Sequence, residues 1–271
     1  MKKVLSLVLV LLLIVPSVCM GADEVLCGRL TKLNVAEDTL FQAATPYINL
    51  FTGFKFFDSL TSMLAALRSG RIAAFAVDKY TADYLISRTG QYAVLRVGRN
   101  NLSYSMLLLE ENGELCGKIS AAIKDMKSDG TLESLKKQYI DGCISGTDPK
   151  AVKPEHFEGA ATLKIALTGD RPPMDYISVA GEPIGFNTAL VSEIARRLKM
   201  NAEFISVDSG ARAAALASKT CDAVFWTETR NFNNREGFDI EDRPDHTIIT
   251  EEYLDGPQTT ITLLNSPLLQ K

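Results

Sequence analysis

Few of the residue types that do chemistry are plentiful in this chain. Among 271 residues there are two histidines, His156 and His246, and one tryptophan, Trp226. A histidine-rich metal site is therefore excluded, and a Ser/His/Asp triad has few ways to be assembled. Four cysteines follow residue 22, at positions 27, 116, 143 and 221, and none has a CxxC or Cys/His spacing that suits zinc. If a disulfide forms, Cys116 with Cys143 is the favoured pair because they bracket what reads as a two-helix hairpin; buried free thiols are the alternative. Carboxylates remain. Asp170, Asp175 and Glu228 could each move a proton, but no two stand at a spacing that marks an acid/base pair. Asp78 closes the apolar run 72–77 and precedes a helix-like segment, which suits an N-cap. Trp226 ends a predicted strand, where its ring could wall a cleft with the N–H toward a ligand or serve as core.

Alternating strands and helices must position these groups. Leu60, Met63, Leu64 and Leu67 stand at helical spacing and predict a helix over 60–68, stopped by Ser69-Gly70. A buried strand over 72–77, a helix over 80–87 and a strand over 105–109 follow. Amphipathic helices are predicted over 114–127 and 132–140. Residues 141–161, DGCISGTDPKAVKPEHFEGAA, gather Gly, Pro and Asp and lose periodicity, which reads as a linker. Beyond it come strand 163–167, a loop with Pro172-Pro173, helix 187–198, strand 202–207, helix 211–217, strand 223–226 and an extended segment over 253–264. This alternation implies α/β halves with parallel sheet built from βαβ units. Ligands collect at the carboxyl ends of such strands, so Asp78, 168–174 and 227–230 are candidate binding edges of a small-molecule cleft.

Composition narrows the function classes. The chain is 46% hydrophobic and 23% charged with a net charge of −4, the profile of a folded protein. Lys2 and Lys3 precede an apolar stretch from Val4 to Val18 that includes Pro16, with Gly21 and Ala22 behind it, so 1–22 reads as a cleaved signal peptide and the protein as periplasmic or extracellular. Its removal leaves 27 basic and 33 acidic residues, which argues against a general nucleic-acid binder.

The run KIALTGDRPPMDYISVAGEPIGFNTALVSEIARRLKMNAEFISVDSGARAAALASKTCDAVFW resembles the first lobe of family 3 extracellular solute-binding proteins, the periplasmic amino-acid-binding type. Pro172, Pro173, Gly185, Phe186, Asn187, Glu203, Phe204, Asp222 and Ala223 keep that pattern's order and spacing. The earlier segments FDSLTSMLAALRSGRIAAFAVDKYTADYL and ELCGKISAAIKDMKSDGTLESLKKQYI resemble the second lobe and the terminal helices that pack back on the first lobe. The resemblance implies a two-lobed periplasmic-binding-protein type 2 fold with its lobes in permuted order. Its parts are a second-lobe-like segment 23–104, terminal helices 105–140, linker 141–161 and a first-lobe-like segment 162–271. Circular permutation accounts for the order; halves of tandem proteins or lobe exchange between chains are the alternatives. Permutation implies one covalent crossover near 99–104, with 23–29 and 263–271 side by side at the hinge.

The same resemblance implies site residues. A first-lobe arginine grips the ligand's α-carboxylate through two parallel donors. Thr229, Thr250 and Tyr253 match the flanking motif and place Arg243 in the arginine position, while the insertion RNFNNREGFDIED supplies Arg230 and Arg235 as competitors. Asp78 matches the second-lobe carboxylate that meets the ligand's ammonium. Arg171 stands where an aromatic is usual, either as a second charge contact or as an exposed side chain. Met174 replaces another aromatic, and Asp170 and Tyr176 are weaker candidates. The segment LNVAEDTLFQ offers Glu37, Asp38 and Thr39 but lacks the glycine of the usual Gly-Thr turn. The implied function is a non-enzymatic solute-binding protein without cofactor or metal. Its expected partners are a small-molecule ligand, an amino acid or related carboxylate, and a membrane permease or sensor. The alternatives are a degenerate interaction module and a dehydratase-like enzyme.

Overall fold

The computed structural model describes residues 25–29, 51–230, 238–239 and 243–270. Near its start, β1 (Leu26–Arg29) pairs in parallel with β2 (Gly53–Phe56) and with β3 (Ala74–Asp78), whose five residues are all buried. Helix α1 (Leu60–Arg68) begins where the Ser59 hydroxyl accepts the Ser62 N–H, and it lays Leu60, Met63 and Leu67 against Phe75 and Val77. Helix α2 (Lys79–Thr89) starts directly from β3 with Asp78 as its cap and stops at Gly90, whose φ of 63° is the left-handed turn that glycine favours. These elements form one lobe with its own core.

The next strand, β4 (Tyr92–Leu109), has 18 residues, about 60 Å at the usual rise, which is enough to leave that lobe and run through another. It leads into α3 (Gly113–Ser128) and α4 (Thr131–Lys136), and α4 continues as a π-type turn and a last helical turn to Ile144. Then come β5 (Thr162–Leu167), a three-stranded hairpin of β6 (Asp170–Arg171), β7 (Asp175–Ile177) and β8 (Pro183–Ile184), helix α5 (Phe186–Leu198) and β9 (Asn201–Ser206). Helix α6 (Arg212–Ala217), β10 (Ala223–Arg230), β11 (Phe238–Asp239), β12 (Thr247–Ile249) and β13 (Leu254–Leu263) complete the described chain. In the second lobe, β5 lies parallel to β9 and β10. The faces of this sheet carry separate cores, one with α3, α4 and α5 and the other around Leu107, Leu216 and Trp226.

A single sheet threads both lobes, in the order β2-β1-β3-β13-β4-β10-β5-β9. The parallel pairing expected from the alternation holds within each lobe, but β4 and β13 run antiparallel between them because both cross from lobe to lobe. β13 pairs with Tyr104 at its start and with Tyr92 at its end, so two covalent crossovers join the lobes, not the one expected. The ladder is irregular at the crossing, between Pro257 and Thr259, and Gly98 sits there because a Cβ would lie 2.9 Å from the Gln258 carbonyl oxygen.

The described chain ends lie close together as expected, but at another place. Leu26 and Thr262 both bond to Ala73, from opposite sides of β3, which sets the two strands about 10 Å apart. They meet at the end of β3 far from Asp78, on the first-described lobe and not at the hinge. The linker is docked rather than free: the Asn201 amide donates to the carbonyls of Phe157 and Ala160 and accepts the Phe157 N–H. Cys116 and Cys143 are separate buried thiols, the first donating to the Ile249 carbonyl and the second 3.5 Å from the Tyr176 hydroxyl. The expected signal peptide, the segment 33–42 and Arg235 lie outside the described residues.

Candidate functional site

The site is built around the loop that follows β5. Asp175, 4% exposed, accepts the Thr168 N–H at 3.0 Å, the Thr168 hydroxyl at 2.6 Å and the Gly169 N–H at 3.1 Å on one oxygen, and the Asn187 amide at 2.8 Å on the other. One carboxylate thus ties the end of β5, the hairpin and the start of α5 together. Gly185 permits the closure. Its φ is 113°, and a Cβ there would meet the Met174 carbonyl oxygen at 2.5 Å, which would block the bonds from Phe186 and Asn187 N–H to Pro173 and Met174. With four hydrogen bonds accepted, Asp175 holds the loop in place.

Beneath this loop is a small, partly open cavity of about 10 Å³, close to the least that admits one water. Tyr104 on β4, Tyr253 just before β13, Arg171 and Asn187 line it together with Met174, Phe225 and others. Four polar atoms here have no partner: the hydroxyls of Tyr104 and Tyr253, the Arg171 Nε and the Asn187 Oδ1. Burial raises both tyrosine pKa values above the ordinary range, with nearby carboxylates adding to it, so both phenols stay protonated donors. Arg212 frames the far wall by donating to the carbonyls of Ser209 and Phe225.

The lobes meet over this cavity through the two residues of β6. Arg171 donates to Asp78 Oδ2 at 3.0 Å, and Asp78 at the same time caps α2 by accepting the Thr81 N–H and hydroxyl at 2.9 Å. Burial works against the guanidinium charge, but Asp78 and Asp175 outweigh it and hold the Arg171 pKa above its ordinary value. Asp170 accepts the backbone N–H of Leu60, the first residue of α1, at 2.6 Å. Its pKa is raised, chiefly by burial. Beside these, the Ser209 N–H reaches the Asp58 carbonyl at 3.3 Å, Arg88 pairs with Asp148 at 2.5 Å, and the rings of Tyr84 and Tyr176 lie 6.3 Å apart.

Of the residues expected at the site, Arg171 and Met174 line the cavity, and Asp78 and Asp170 bound it through the lobe contacts. Arg171 is not exposed; one of its terminal nitrogens donates to the protein's own Asp78, and its Nε has no partner. Arg243 is not among the lining residues; its guanidinium donates to the Thr247 hydroxyl and carbonyl and stands 3.7 Å from Glu228. Trp226, 1% exposed, lies on the opposite face of the sheet with Leu107 and Leu216. Thr229 and Arg230 extend β10 as backbone, paired with Leu102 and Asn101, and the side-chain roles expected of them fall outside what is described. Tyr104 was not singled out in the sequence; its only signal is the alternation Leu102-Ser103-Tyr104-Ser105 entering the strand 105–109. Among the described residues no group of three or more His, Cys, Asp or Glu is placed to hold a metal, and no helix is long and apolar enough to cross a membrane.

Comparison with known families matches the segment that carries the cavity loop. Residues 163–244 match the model for bacterial extracellular solute-binding proteins, family 3. The two-lobed α/β fold is accordingly solute-binding-protein-like, of type 2. No curated protein matches the chain. Among solved structures, full-length CbnR complexed with its target DNA is 9% identical over 91% of this chain and 66% of its own, with a TM-score of 0.43. The ligand-binding component of an ABC-type import system from Staphylococcus aureus, with zinc bound, is 9% identical over 91% and 67%, at 0.44. The GluR0 ligand-binding core with L-glutamate is 10% identical over 92% and 89%, at 0.41. The chain therefore spans about two thirds of the first two. At these scores the DNA, zinc and glutamate remain properties of those proteins.

Proposed function

We propose that this protein binds a small polar solute, an amino acid or related carboxylate, between its lobes outside the cytoplasm, and that a membrane permease or sensor reads the closed form. The observation that supports the reading best is the gathering of unpartnered buried donors, Tyr104, Tyr253 and the Arg171 Nε, in a second-lobe cavity beside the point where Arg171 meets Asp78 of the first lobe. An orphaned buried polar group costs about 1–3 kcal/mol, and one carboxylate arriving from solution would satisfy several of these donors together. The cavity holds no more than about one water, so the solute enters by parting Arg171 from Asp78. Its carboxylate then faces the arginine and its ammonium the aspartate, and the lobes reclose on it. Among the described residues two guanidiniums line the cavity; Arg212 is held by the carbonyls of Ser209 and Phe225, which leaves Arg171 for that role, and Arg243 is not among the lining residues.

Thermal unfolding of residues 23–271 against amino acids, dicarboxylates, polyamines and short peptides tests this. A true solute at 100 times its dissociation constant adds about 2.7 kcal/mol, an easily read shift. Arg171→Ala is expected to abolish that shift and Arg243→Ala to keep it; the reverse would move the carboxylate contact to Arg243. A second reading, a module that kept the fold and gave up its solute, draws support from the Arg171–Asp78 pair, in which the protein neutralises its own ligand-facing acid. It gains if the protein unfolds cooperatively and no compound shifts it.

A further inference from the structure

Asp170 and Arg171 are consecutive residues of one short strand, yet each reaches a different element of the opposite lobe. The Asp170 carboxylate takes the Leu60 N–H, one of the helix-start donors that α1 cannot satisfy internally, and the Arg171 guanidinium takes the Asp78 carboxylate at the head of α2. An acid on a helix N-terminus and a base on a carboxylate are the two contacts through which a zwitterion would bridge these lobes. The strand presenting them is rigid: β6 pairs in register with β7, Asp170 opposite Tyr176 and Arg171 opposite Asp175, and Asp175 is held by four bonds. Little room is left for a solute with the two side chains in place.

We propose that the Asp170–Arg171 pair is a built-in surrogate ligand that closes the two lobes in the absence of solute. The resting molecule is closed, and a solute acts by replacing contacts that the chain already makes. This goes beyond the reading above and does not depend on it, because the latch closes the lobes whether or not a solute exists. A solute must compete with it, so removal of Arg171 favours the open form even though the same residue serves a bound carboxylate.

Spin labels at Ala65→Cys on α1 and Ala217→Cys on α6, both exposed positions, report the lobe separation by double electron–electron resonance. The described native thiols are buried and leave the introduced cysteines as the reactive sites. Solute-free protein with Asp170 and Arg171 intact is expected to show one short, narrow distance distribution, and the Asp170→Ala/Arg171→Ala pair a longer and broader one. An open distribution in the intact protein overturns the proposal, as does an unchanged closed one in the double variant. If the double variant does not fold, Asp170→Asn keeps the shape without the charge. Amide exchange at Leu60 should then accelerate at least tenfold while β3 amides are unchanged, and equal protection at Leu60 overturns the latch. Thermal shifts with the solute panel are independent, so a failed latch and a failed solute reading remain distinguishable.

Discussion

A buried phenol without an acceptor costs stability that packing alone does not restore, and two of them facing one small space ask what they are kept for. If a solute supplies the acceptor, Tyr104→Phe should leave solute-free stability unchanged or raise it by up to about 1 kcal/mol, read as the denaturant midpoint, while weakening solute binding several-fold. A loss of solute-free stability would mean that the hydroxyl serves the fold instead. Legibility at this scale follows chain distance. That Asp78 could cap a helix was readable because its partner is three residues away. That Arg171 would neutralise it was not, since 93 residues separate them and only the folded sheet brings them together. Arg171 stood out in the sequence as a departure from pattern, without a hint of what it would meet.

Helices were the most legible elements. The helix expected over 60–68 is α1 to the residue, and α3, α5 and α6 begin or end within a residue or so of expectation, because a repeat of apolar positions is a local signal. The first half of β4 was missed. It carries Arg96, Arg99, Asn100 and Asn101, and Val94 and Val97 are exposed, so its strand character comes from pairing with β13 and not from its own pattern. One turn between helices has a testable electrostatic role. Asp129 accepts from Thr131 and pairs with Arg197 at 2.7 Å, tying the α3–α4 turn to α5. Hydrogen bonds from Thr131, and then Arg197, hold its pKa down to about 2. Its stabilising contribution is therefore complete above the ordinary carboxylate value of about 4 and lost as pH falls through about 2. Asp129→Asn should lower the urea midpoint at pH 5, and the difference from the unsubstituted protein should shrink to nothing near pH 2.

For the molecule as a whole, the α/β alternation was legible, while the division into lobes and the path through the hinge were not: the break read at 141–161 lies inside the second lobe, and the crossings fall near 98–102 on β4 and near 257 on β13. The extended segment over 253–264 gives no sign that its two ends serve different lobes. The position of the chain ends makes the proposed permuted origin testable. A linker of about eight residues joining 270 to 25, with a new opening in the irregular stretch near 150, should give a monomer that folds cooperatively and keeps the Arg171–Asp78 contact between the lobes. Failure to fold would count against permutation and toward tandem halves or exchanged lobes. The path of β13 has a consequence for how the molecule is made. The described residues between about 102 and 256 belong to the second lobe, whereas the first is completed only by 258–263. Until those residues arrive, the first half of β4 has no strand to connect it to β3. As the chain grows, the lobe begun first is the one finished last, and its sheet waits, with an open edge between β3 and β4, for the final strand.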